Sequence, residues 1–86
     1  MTPSLSGEII DERSSTHGDF RDIAIVYSEL QDAIYSVGVM ERKYVAAIDM
    51  ICMKLARIAC GDPSHEDHWI DIGGYAELGR RAARDV

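Results

Sequence analysis

The segment Glu41 to Cys60 constrains this chain most. After its charged opening turn it is apolar nearly all round, with Asp49, Lys54 and Arg57 as the exceptions. Tyr44, Ile48, Ile51, Leu55 and Ile58 recur at steps of four, three, four and three. That spacing keeps side chains on one face of a helix, and Val45, Ala47, Cys52 and Ala59 widen the face. A helix apolar over so much of its girth must be the centre of a small core or cover an interface between copies.

The flanking segments read as further helices. Ile23, Tyr27, Leu30, Ile34 and Val37 repeat the same steps over residues 20–37, with Asp19 placed to cap the start and Gly38 to stop the end. Thr2-Pro3 opens a shorter helix over 3–13 carrying Leu5, Ile9 and Ile10. Gly61 ends the 41–60 helix. Asp62-Pro63, or Ser64 with Asp67 as a capping box, starts a fourth over 63–84, with Trp69, Ile72, Ala76 and Ala83 as its packed face. Gly73-Gly74 in that helix implies a kink or the close approach of another backbone or a ligand, because each glycine costs about 1 kcal/mol relative to alanine there. No segment alternates as a strand does. The expectation is a single all-α domain over residues 1–86, a small four-helix bundle, with self-association expected for so short a chain.

Composition narrows the function classes. A net charge of −6 argues against a nucleic-acid polymer as partner, because phosphate-backbone binding needs clustered Lys and Arg. The N-terminus has no basic start followed by an apolar stretch, and charges interrupt the longest apolar run, so no membrane association and a cytoplasmic location are expected. Cys52 and Cys60, about 12 Å apart along one helix, cannot pair with each other.

Several polar residues fall where chemistry could use them. Asp49, Lys54 and Arg57 lie within a sector of about 140° on their helix, so two cations beside an acid make a phosphate clamp or, more plainly, a solvated ion-pair face. Asp67 and Asp71 are one turn apart, and Glu29 and Asp32 share a face of the second helix. Acid pairs on two helices are how helical bundles assemble metal sites, and magnesium is the ion suited to carboxylates and phosphates. The plain alternative is acidic surface. His17 lies with Gly18 and Asp19 in a turn as a capping or ligand-contacting residue. His65 and His68 with Cys60 or Asp62 have irregular spacing for zinc. There is no phosphate loop, serine elbow or Cys-x-x-Cys pair, so no catalytic residue is assigned.

The stretches Glu12-Arg13, Thr16-His17-Gly18-Asp19-Phe20, Ala47-Ile48-Asp49-Met50-Ile51, Lys54-Leu55-Ala56-Arg57-Ile58 with Gly61, and Asp67-His68-Trp69-Ile70-Asp71-Ile72-Gly73-Gly74-Tyr75-Ala76 resemble a group of small phage and prophage proteins. More distantly the chain is similar to the MazG-like all-α nucleotide pyrophosphohydrolases, which oligomerise and hold magnesium on acid pairs from two helices. That resemblance implies a nucleotide or nucleotide-derived ligand, with Glu29, Asp32, Asp67 and Asp71 toward magnesium and Lys54 and Arg57 on the phosphates. The acidic motifs depart from the family pattern: Asp32 stands where the first pair has its second glutamate, and His68 where the second motif has an acid. Turnover and simple binding both stay open on that ground. The alternative from a different class is a non-enzymatic helical protein that inhibits or sequesters a host protein.

Overall fold

The structure is a computed structural model and describes residues 16–84. Three helices follow one another, α1 over Phe20–Tyr35, α2 over Arg42–Cys60 and α3 over Glu66–Arg84, and no strand occurs among the described residues. The all-α expectation holds at the level of a three-helix domain. The segment expected as the first helix, residues 3–13, lies outside the described residues. As its apolar girth required, α2 is central and packs against both α1 and α3.

The helix ends follow local chemistry. Asp19 caps α1 as expected, its carboxylate accepting from the Arg21 N–H at 3.2 Å. The helix stops at Tyr35, two residues short of the expected end. There the Ser36 hydroxyl donates to the Ala33 carbonyl, and Gly38 turns the chain at φ 141°. Val37 therefore leaves the predicted stripe and is 88% exposed. The start of α3 is also later than expected. Ser64 donates both its backbone N–H and its hydroxyl to Asp62, which makes a turn of residues 62–64, so the Ser64–Asp67 capping box does not form.

The central helix buries two opposite sides. Cys52 and Ala56 are fully buried one turn apart, whereas buried Lys54 lies about 200° round the helix from Cys52. Ile23 of α1 completes the buried apolar core. The row of α3 turned inward is His68, Ile72, Tyr75, Gly79 and Ala82, all buried or half-buried and again at steps of four, three, four and three. Of the expected face Ile72 turns inward, whereas the residues just before Ala76, Ala83 and Trp69 replace them, and Trp69 is not a core residue. Its indole N–H donates to the Pro63 carbonyl at 2.8 Å and its ring stays 54% exposed, while His68 takes the inner position. The helix α3 runs unbroken past Gly73 and Gly74. No atom lies within 4 Å of a methyl group placed at either.

A strap, Thr16 to Gly18, closes the end of the molecule where α2 gives way to α3. The Asp62 N–H donates to the Thr16 carbonyl at 2.8 Å. Gly18, buried and at φ 90°, lies on the backbone of Cys60, and a side chain there would overlap the Cys60 carbonyl group. Gly61 is equally confined, since its methyl would strike the Thr16 and His17 backbone. Gly18→Ala should therefore lower stability by on the order of 1–3 kcal/mol. Gly73→Ala and Gly74→Ala should each raise it by about 0.5–1 kcal/mol. Urea unfolding of the three variants checks both signs, and stabilisation by Gly18→Ala would contradict the close strap.

Candidate functional site

The strap and the inner row of α3 bring chemistry together at one corner. Lys54 projects from α2 toward α3, where its Nζ lies 2.8 Å from Oδ2 of Asp71. The lysine side chain is 11% exposed and the aspartate 42%, so the pair sits at the margin of the α2–α3 interface. A charge taken this far from water needs a partner. The hydrogen bond from Lys54 holds the Asp71 carboxyl below the ordinary carboxylate range, partly opposed by burial.

Beside it the three histidines of the chain form a cluster. His17 Nδ1 lies 3.1 Å from Nε2 of His68, and the ring centroids are 4.7 Å apart. The His65 ring is 4.8 Å from His68 and 5.9 Å from His17. His68 is only 1% exposed, and its Nδ1 is buried without a hydrogen-bond partner. Burial is the main cause that pushes both His17 and His68 below the usual histidine value. The positive potential of Lys54 and Arg57 adds to it in both, and the Thr16 carbonyl opposes it slightly in His68. Arg57 is half-buried, acts electrostatically on His17, His68 and Asp71, and makes no ion pair among the described residues.

The remaining candidates lie elsewhere. Asp49 turns toward α1, where it accepts from the Tyr35 hydroxyl at 2.5 Å and from Gln31 Nε2 at 3.1 Å. That carboxylate raises the Tyr35 phenol to about 12, chiefly through the hydrogen bond. The sector joining Asp49 to Lys54 straddles both interfaces of α2, so its two edges face different helices. Asp67 is 77% exposed, with Oδ2 at 3.8 Å from His65 Nε2, while Glu29 and Asp32 are exposed on α1. Asp19 is exposed and serves as the α1 cap. Among the described residues no three or more His, Cys, Asp or Glu side chains are grouped so as to hold a metal ion. Of the four acids, Asp71 is engaged by Lys54, Asp67 lies beside His65, and Glu29 and Asp32 lie on α1. Both cysteines are free, and burial raises the Cys52 thiol.

The sequence reading missed the histidine cluster. His65 and His68 are three apart at the start of α3 and so share a side, but only the strap reveals that His17, almost fifty residues earlier in the chain, completes the group. At the other end of the α2–α3 seam lies an apolar cavity of about 170 Å³ lined by Lys43, Ala46, Ala47, Met50, Tyr75 and Leu78. No helix among the described residues is long and apolar enough to cross a membrane.

The profile of the family described as "Domain of unknown function (DUF6378)" matches residues 5–83. No curated protein and no solved structure matches the chain.

The cluster makes stability depend on pH with a definite sign. Because His17 and His68 are depressed below 6.5 in the folded chain, the unfolded chain binds more protons just below that pH. Their contribution is complete above about 6.5 and is lost as the pH falls through the folded values. Carboxylates with depressed values, Asp62, Asp71 and Glu77, act only at lower pH. The thermal midpoint should therefore fall between about pH 7.5 and about pH 5.5, with a smaller fall in His17→Asn. A midpoint that rises or stays level over this range in the unaltered chain would contradict the buried histidine pair.

Proposed function

The chain belongs to the DUF6378 family, and we propose that its domain binds a phosphate-bearing small molecule, a nucleotide or a nucleotide derivative, at the corner formed by the strap, the end of α2 and the start of α3. One observation carries this reading: half-buried Arg57, without an ion pair among the described residues, stands with Lys54 and three histidines at the same end of the domain. Arginine offers a planar fork of N–H donors that suits phosphate oxygens, and imidazole N–H groups add short, directional bonds. Lys54 is already neutralised by Asp71 and so shapes the site more than it attracts an anion. The distant likeness to MazG-like pyrophosphohydrolases favours a nucleotide over other phosphate compounds, and the likeness to phage and prophage proteins gives its setting.

The dispersed acids favour binding over hydrolysis. Of the four candidate acids, Asp67 and Asp71 lie on the helix that forms the corner and are those placed to meet magnesium arriving with a triphosphate. No catalytic step is assigned to them. Trp69 and Ile70 on α3 are 54% and 65% exposed. That apolar surface supports the second reading, a helical interaction protein that engages a host protein or another copy of itself.

Thermal stabilisation by a panel of nucleoside mono-, di- and triphosphates, with and without magnesium and with pyrophosphate release followed in parallel, separates the readings. The expected result is stabilisation by at least one nucleotide, with affinity reduced about tenfold or more in Arg57→Ala, a loss of about 1.4 kcal/mol. Pyrophosphate release abolished by Asp71→Asn would extend the reading to hydrolysis. No stabilisation by any nucleotide would overturn it and leave the interaction reading.

A further inference from the structure

We infer that the His17–His65–His68 cluster is an oxyanion subsite that receives a terminal phosphate group, with His17 and His65 as donors, Arg57 as the counter-charge and His68 as the residue that positions His17. The inference rests on the nucleotide reading above and assigns one part of that ligand to one group of side chains.

The geometry favours one proton arrangement. A neutral imidazole carries one N–H, and we assign that of His68 to Nε2, the nitrogen that faces Nδ1 of His17, since Nδ1 of His68 is buried without a hydrogen bond. His68 then donates from Nε2 to Nδ1 of His17 across 3.1 Å. With its Nδ1 accepting, His17 must carry its own proton on Nε2, the nitrogen that makes no hydrogen bond among the described residues. The half-buried His17 ring is thereby held as a donor, as metal and catalytic sites fix an imidazole through its second nitrogen. His65, with 35% of its side chain exposed, stands edge-on to both rings and supplies a second N–H.

Around the corner stand two cations, Lys54 and Arg57, and three carboxylates, Asp71, Asp62 and Asp67. Lys54 is paired with Asp71, the Asp62 carboxylate accepts from Ser64, and exposed Asp67 lies 3.8 Å from His65. Arg57 is the cation left to meet an incoming anion among the described residues. Donors that are mostly neutral, beside one guanidinium, suit a compact oxyanion such as phosphate better than an extended polyanion. This agrees with the net charge of −6.

Histidine-ring NMR with inorganic phosphate as the probe tests the subsite. Ring nitrogen shifts of the free protein should report an Nε2–H tautomer for His17, and added phosphate should move the His17 and His65 ring signals. His17→Asn should reduce phosphate affinity at least about tenfold while preserving the helical circular dichroism. Because His68 is buried and its replacement can unfold the chain, His65→Asn serves as the second variant and should weaken phosphate as well. An Nδ1–H tautomer at His17 would overturn the inference, as would phosphate affinity unchanged in His17→Asn or ring signals unmoved by phosphate. If nucleotides still stabilise the protein in those cases, the subsite alone falls; if they do not, the nucleotide reading falls with it.

Discussion

The arrangement depends on a contact between two segments that have no side chains where they meet. Gly18 rests on the Cys60 backbone and Gly61 on that of Thr16 and His17, so the strap approaches the α2–α3 corner closer than any Cβ would permit. The Asp62 to Thr16 hydrogen bond fixes its register. That register carries His17 onto His68. A strap displaced by a methyl group would open the distance between the two rings, and the polar corner would lose its earliest residue in the chain.

The second constraint is the double burial of α2. In a domain this small a central helix packs on two sides, and few side chains are available to fill both. Cys52 and Ala56 fill one closely. The other is filled by the stem of Lys54, whose charge is carried to the margin and met there by Asp71. The same division sends Asp49 to α1, where Tyr35 and Gln31 satisfy it. One helix thereby holds two separate polar centres: Asp49 ties it to α1, and Lys54 ties it to α3 beside the histidines.

Much of the fold was legible in the sequence. The steps of four and three gave α1 and α2 directly, and Asp19 was readable as a cap. The phase of α3 was not, because hydrophobic reasoning turns a tryptophan inward and a histidine outward. The Pro63 carbonyl reverses that by offering the indole N–H a partner at the surface. Gly61 was readable as a helix stop, but its role against the strap depends on a contact between residues more than forty positions apart, which no local pattern carries. Asp49 parts from Lys54 for a geometric reason: a sector of about 140° is wide enough to span two interfaces.

A corner built this way keeps donors and a guanidinium together without a surplus of bare positive charge, so an acidic domain can offer a local site for an anion. That depends on His17 lying on His68. Nuclear Overhauser contacts between the ring protons of these two residues, measured in the free protein near neutral pH, test it most directly. Ring-to-ring cross-peaks are the result expected; a folded, helical protein in which His17 shows no contact with His68 would contradict the strap, the cluster and the site drawn from them.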